Sequence, residues 1–250
     1  DQVHKQTVEY YYFVDQHRAP IVGAGKKEEP FWTSAQGFAW EFCLRMGLGR
    51  HKWIAFFDAD EYLVLRGLQP GVRPDINEFL KEYEPYPALG VNWRVFGTGG
   101  NVQPLPSVLP NYVKCMNSSH KLNWHIKSIV NVARVESLGV SPHYFDYKNG
   151  SKAVNELKVE IEGAFSPPSH TRVALHHYQT RSAAEYLRKV ARGRGSAAGQ
   201  HITLGQSLAT LQEYDADSTE QCTEGLDLWQ QCCAKPYDEW QRQRHRRVPA

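Results

Sequence analysis

No apolar run in the sequence approaches the length that spans a bilayer, so no transmembrane helix is expected. No signal-peptide pattern opens the chain, which starts at Asp1 without Met and reads as a fragment of a longer product. The five cysteines, Cys43, Cys115, Cys222, Cys232 and Cys233, show no C-x-x-C spacing, which argues against a structural zinc site. The odd count forbids complete internal pairing. Cys43 falls in a helical pattern and reads as a small buried hydrophobe. Cys222 is expected to pair with Cys232 or Cys233 if the compartment is oxidising. A formal net charge of +2 gives no strong pull toward nucleic acid or a membrane surface. Basic residues gather at 188–194 and 241–247, and the second group reads as a solvated tail. There is no internal repeat and no low-complexity tract.

What is present is enough apolar material for one sizeable core. Of 250 residues, 41% are hydrophobic and 12% aromatic, which bounds the chain to one domain or two small ones. Tyr10–Val14 reads as a strand and 19–30 as a loop. Residues 33–47 carry Ala35, Ala39, Phe42, Cys43 and Met46 at helical spacing. Trp53-Ile-Ala-Phe-Phe57 is an uninterrupted apolar run and predicts a strand buried on both faces, as in the middle of a parallel sheet. Asp75-Ile-Asn-Glu78 and Ser182-Ala-Ala-Glu185 read as capping boxes that open helices. Strands are predicted over 89–96, 126–135 and 173–178, with short helices over 208–214 and 226–233. Two glycosylation sequons, Asn117-Ser-Ser119 and Asn149-Gly-Ser151, permit a secretory-pathway reading. Strands alternating with helices give an α/β class: one domain with a mixed, mostly parallel central sheet flanked by helices.

The chemistry-bearing feature is Asp58-Ala-Asp60-Glu61 at the end of the apolar strand. Ligands of open α/β sheets bind beyond the carboxyl ends of strands. Three acids in four residues there are costly to bury without a cation, and Mg²⁺ or Mn²⁺ is commonly shared between one or two carboxylates and substrate phosphates. Asp-x-Asp alone is a weak signal, because three-residue patterns recur by chance. The bland alternative is a solvated acid cluster.

The wider pattern is more specific. Lys52-Trp-Ile-Ala-Phe-Phe-Asp-Ala-Asp-Glu-Tyr-Leu63 is similar to the core signature of the family-92 glycosyltransferases and their family-2-like relatives, which have the GT-A fold. Val91-Asn-Trp93-Arg-Val-Phe96-Gly97 resembles that family's Trp-x-x-Phe-Gly strand. His125-Ile-Lys127-Ser-Ile-Val130, followed by His143-Tyr-Phe, resembles its Lys-containing strand. His177-Tyr178-Gln-Thr-Arg181-Ser182 resembles its late His-Tyr-x-x-(Lys/Arg)-Ser motif, followed by a helix carrying Lys189 and Gly193. The four motifs stand in order over 33–195. The family's N-terminal strand and Asp-x-Ser-x-Asp-like turn have no counterpart here, so the chain is expected either to be truncated N-terminally or to have diverged there. A GT-A-like domain is accordingly expected over 1–200, with a helical or irregular extension over 201–250.

The resemblance implies a metal–nucleotide site on Asp58 and Asp60, with Asp60 the direct ligand and His177 a third ligand. His176 would face the other way on a strand. Lys127, Arg181 and the Ser182 helix start are implied as donor-binding groups, since free amides and guanidinium suit phosphate. Trp93, Arg94 and Phe96 are expected on the acceptor side, and Gly97 to Gly100 is expected to let backbone approach a ligand. The general base is not placed; Glu61 and Asp146 are weak candidates.

Implied with these are Mn²⁺ or Mg²⁺, a nucleotide-sugar donor (a UDP-sugar, with galactose first), a glycan acceptor, inversion, and a Golgi location. A membrane would be met only through a segment outside this chain. A metal-dependent hydrolase would need His-x-His-type spacing beside a further acid, which is not found in a convincing context. A non-catalytic glycan-binding relative differs from the transferase by lacking nucleotide-sugar turnover.

Overall fold

The computed structural model describes residues 35–67, 74–192 and 203–232. Tyr10–Val14, the 19–30 loop, Cys233 and the basic tail lie outside the described residues. In chain order the elements are α1 (Ala35–Gly47), β1 (Trp53–Ala55), β2 (Glu61–Leu65), α2 (Ile76–Lys81), β3 (Ala88–Val95), β4 (Lys114–Cys115), β5 (Ile126–Asn131), β6 (Val135–Leu138), β7 (Phe145–Tyr147), β8 (Ala153–Val154), β9 (Glu160–Ile161), β10 (Val173–His177), α3 (Ala183–Arg192), α4 (Leu204–Asp217), β11 (Glu220–Gln221) and α5 (Glu224–Cys232). No helix among the described residues is long and apolar enough to cross a membrane.

The mixed α/β class is as expected. Seven strands form one sheet in the order β1-β5-β3-β10-β2, with β8 on β3 and β9 on β8. The expected parallel majority is not there. Parallel pairing is confined to β3 with β10 and β3 with β8, while the β1–β5, β3–β5, β2–β10 and β8–β9 pairs are antiparallel. The apolar run around Trp53 is also corrected. It forms a three-residue strand at a sheet edge, half-buried rather than central. Past its end the Phe56 amide still donates to the Ser128 carbonyl of β5 at 3.2 Å, while the Phe56 ring packs with Trp40 of α1 and Phe145 of β7.

β3 is the spine of the core. All eight of its residues are buried, because it pairs on both sides and both faces are covered. One face holds Leu89, Val91, Trp93 and Val95 with Ile129, Val173 and Leu175. On the other side, Phe96 at the strand's end packs with Tyr112, Cys115, Tyr178 and Cys222. Alternation along a strand makes this division.

Helix α1 is rotated from its expected orientation. Leu44 is buried in a cluster with Trp40, Phe56 and Phe145, while Cys43 is exposed and unbridged. A Cβ on Gly47 would stand 2.3 Å from Ile54 Cδ1, so a side chain there would require the Ile54 side chain of β1 to shift. Both capping positions hold. Asp75 accepts from the Asn77 and Glu78 amides, and Ser182 and Glu185 exchange side chain-to-backbone bonds in both directions.

The C-terminal segment is fastened to the domain. β11 pairs with β4, Asp215 of α4 accepts from the Thr98 amide at 2.6 Å, and Glu220 pairs with Arg94. The disulfide joins Cys115 to Cys222, 107 residues apart, instead of Cys222 to Cys232 or Cys233. Strand pairing beside it brings these two together, which no local spacing reveals. A cross-link over so long a loop restricts the unfolded chain strongly. Cys222→Ser is expected to lower stability by about 3 kcal/mol. Thermal melts with and without reductant check this, and identical melts for the wild type would contradict an oxidised pair.

Candidate active site

β1 and β3 both run antiparallel to β5, and β10 runs parallel to β3, so β1, β3 and β10 point their carboxyl ends the same way. The chain leaves β1 at one sheet edge and enters β2 at the other, and Phe56 to Asp60 cross that shared end. This puts Asp58-Ala-Asp60 where α/β sheets bind ligands.

Glu61 ties the crossing down. Its Oε2 accepts the Asp58 amide at 2.8 Å, its backbone amide donates to the Asp58 carbonyl at 3.0 Å, and its Oε1 accepts Trp93 Nε1 at 2.8 Å. Burial pushes its carboxyl up to about 7, against the lowering pull of Lys127 and with a further push from Asp58. Both oxygens are engaged in holding structure.

The flanking strands add side chains by register. Glu61 of β2 pairs with His177 of β10, Trp93 of β3 pairs with Leu175 of β10, and Lys127 of β5 pairs with Val91 of β3. Glu61, Trp93, Lys127 and His177 therefore share one sheet face. Lys127 is fully buried and donates to Asp58 Oδ2 at 2.9 Å, with Glu61 Oε2 at 3.9 Å. Gln36 of α1 donates to Asp58 Oδ1 at 3.1 Å. Asp60 pairs with Lys189 of α3, and its Oδ1 lies 3.9 Å from His177 Nε2. Burial, with Lys189 adding to it, holds His177 well below the usual histidine range, so it is neutral. Its Nδ1 is buried without a hydrogen-bond partner. His176 faces the opposite side, against Phe96 and Tyr178, as expected.

The other sequence candidates fall unevenly. Arg181, at φ 50°, reaches the Ala59 carbonyl at 3.4 Å and Glu185 at 3.6 Å, which puts its guanidinium beside the crossing. Ser182 is fully buried and caps α3. Trp93 is in the cluster, but Arg94 and Phe96 are not brought to it. Arg94 pairs with Glu220 and contacts Cys222, and Phe96 lies in the core on that opposite side. Asp146 is exposed on the β6–β7 pair, where it accepts from Ser137. Gly97 makes room not for a ligand but for α4: a Cβ there would stand 2.7 Å from Asp215 Oδ1 and Ser218 Oγ. Gln36 and the pairing of Lys189 with Asp60 were not expected, and His125 and His143, both named in the Lys-containing segment, are brought beside Trp93. Only the Lys189 and histidine motifs gave a signal, by resemblance.

The family model for glycosyltransferase family 92 matches residues 6–165. The chain belongs to glycosyltransferase family 92. No curated protein matches it. As a family-92 glycosyltransferase the chain works on a sugar donor and a glycan acceptor. The match contains the Asp58–Asp60 crossing, Trp93, Lys127 and His143, while His177 and α3 lie past its end.

Among the described residues no group of three or more His, Cys, Asp or Glu is gathered to hold a divalent ion. Asp60 and neutral His177 fit an ion that is shared with substrate phosphates, since Mg²⁺-type sites take one or two carboxylates and complete themselves with phosphate and water. Two ammonium groups, Lys127 and Lys189, meanwhile balance the aspartates.

Proposed function

We propose that this family-92 enzyme transfers a hexose from a UDP-sugar, galactose first, to a glycan acceptor with inversion and with help from Mn²⁺ or Mg²⁺. The observation that carries the reading is the placement of Asp60 and neutral His177 together at the shared carboxyl end of β1, β3 and β10. Asp60 and His177 would hold the ion, which when bound neutralises the departing diphosphate as a Lewis acid. Asp58, fixed by Lys127, Gln36 and the Glu61 brace, is the ribose-side or supporting acid.

Chemically, an acceptor hydroxyl oxygen forms a bond to the anomeric carbon as the bond to the diphosphate oxygen breaks. The hydroxyl proton goes to a base and the electron pair leaves with the diphosphate. Arg181 and Lys189 flank the crossing and offer positive charge for the leaving group; pre-placed charge of this kind lowers the barrier most in a dry site. The Cys115–Cys222 disulfide favours an oxidising compartment, and so the Golgi lumen, for the enzyme.

A metal-independent transferase is the second reading. It is favoured by the two lysines that already balance Asp58 and Asp60. The test is nucleotide release and sugar transfer over a panel of nucleotide sugars, with Mn²⁺ or with chelator, for the wild type and Asp60→Ala. Mn²⁺-dependent turnover with UDP-galactose, reduced about 100-fold or more in Asp60→Ala, is expected. Turnover that persists in chelator selects the metal-independent reading, and no turnover with any donor sinks both.

A further inference from the structure

A continuous run of aromatic rings leads from the acid cluster to the surface. His177, beside Asp60, has its ring centroid 4.2 Å from that of Trp93. Trp93 stacks on His125 at 4.6 Å with 22° between planes. His125 meets Phe165 at 4.7 Å. The inner rings are buried, His125 is half-buried, and Phe165 is 55% exposed.

Single exposed apolar residues are ordinary on protein surfaces. Phe165 differs in two ways. Its position is fixed: His125 and Phe165 form a β-bridge, flanked by Ile126 N to Ala164 O at 3.1 Å and Ser166 N to Trp124 O at 2.9 Å. His125 is likewise held through Nδ1 on the Leu122 carbonyl at 3.1 Å. It also ends a ring path that starts at the reacting end of the sheet. A pyranose presents a flat C–H face and a rim of hydroxyls. An aromatic ring covers the first and leaves the second free, which suits orienting one hydroxyl without sequestering the others.

We propose that Phe165 and His125 form the acceptor-glycan platform, on which a pyranose ring stacks at the surface end of the ring run that begins beside Asp60. The platform rests on the transferase reading of the acid cluster. It moves acceptor recognition from Arg94 and Phe96 to the ring run that passes through Trp93. Trp124 is 41% exposed and next in sequence, but has no place in that path, so it serves as a control.

Saturation-transfer NMR on the full chain, with lactose and N,N′-diacetylchitobiose as separate probes, tests the platform. At least one probe is expected to receive saturation on its ring C–H protons. Phe165→Ala is expected to bind it about five-fold more weakly, a stacking loss of about 1 kcal/mol. Phe165→Tyr and Trp124→Ala should bind like the wild type. The platform is overturned if neither sugar binds the wild type, if Phe165→Ala binds equally well, or if Phe165→Ala instead abolishes self-association on size exclusion, which would make Phe165 a contact for a second copy. Donor turnover separates the two readings. Turnover without Phe165-dependent sugar binding removes the platform alone, and Phe165-dependent sugar binding without turnover removes the transferase reading alone.

Discussion

Glu156→Ala is expected to lower folding stability by on the order of 5 kcal/mol, the largest loss from any single substitution considered for this chain. The carboxylate is buried and accepts four bonds: from the amides of Thr171, Arg172 and Val173, each at 2.7 Å, and from Ser169 Oγ. Bonds to a charged acceptor contribute about 1.5–3 kcal/mol each, and an amide left buried without a partner costs about 1–3 kcal/mol. These amides turn the chain into β10, so the same side chain sets the strand that carries His177. Gln is expected to rescue little, because its NH₂ would face amides that also donate. Urea denaturation of both variants reads the effect; a loss under about 1 kcal/mol for Glu156→Ala would show that the strand entry holds itself.

Glu61→Ala is expected to reduce sugar transfer about 100-fold. Glu61 touches no reacting atom in this account; it positions others. Its two oxygens hold the Asp58 amide and the Trp93 indole, so its loss frees the crossing and unseats the Trp93 ring. Displacing reacting groups by about 1 Å costs about that much in rate. Glu61→Gln keeps one acceptor oxygen and should fall between the two. Transfer by Glu61→Ala within about threefold of the wild type would mean that the crossing is held without the brace.

How much of this was legible in the sequence follows from how local each signal is. The caps at Asp75 and Ser182 were readable because donor and acceptor stand within three residues. The strand around Trp93 was readable from its alternation. That same alternation, applied strictly, separates Trp93 from Arg94 onto opposite faces, and the expectation that both line the acceptor side ignored it. The Trp53 run failed for another reason. Apolar continuity reports burial, and here Phe56 is buried after the strand has ended, between Trp40 of α1 and Phe145 of β7, not by strand neighbours on both sides of β1.

Partners distant in sequence left no trace: Cys115 with Cys222, Lys189 with Asp60, Gln36 with Asp58. The parallel expectation failed similarly, since strand direction depends on where the chain re-enters the sheet, and the Phe56 to Asp60 crossing carries it from one edge to the other. The acids were legible through the family-like segment around them, since Asp-x-Asp alone recurs by chance; three carboxylates at a buried strand end then call for something that balances them. The sequence reading expected a divalent ion there; the structure adds two lysines to the balance.

The measurement that bears most directly on the central claim is calorimetric titration of UDP into the full chain, with Mn²⁺ and with chelator, for the wild type, Asp60→Ala and His177→Ala. UDP binding is expected to strengthen at least about tenfold with Mn²⁺, a difference of about 1.4 kcal/mol, and to lose this gain in both variants. UDP binding equal in Mn²⁺ and chelator, and unchanged by either substitution, would contradict a nucleotide site built on Asp60 and His177.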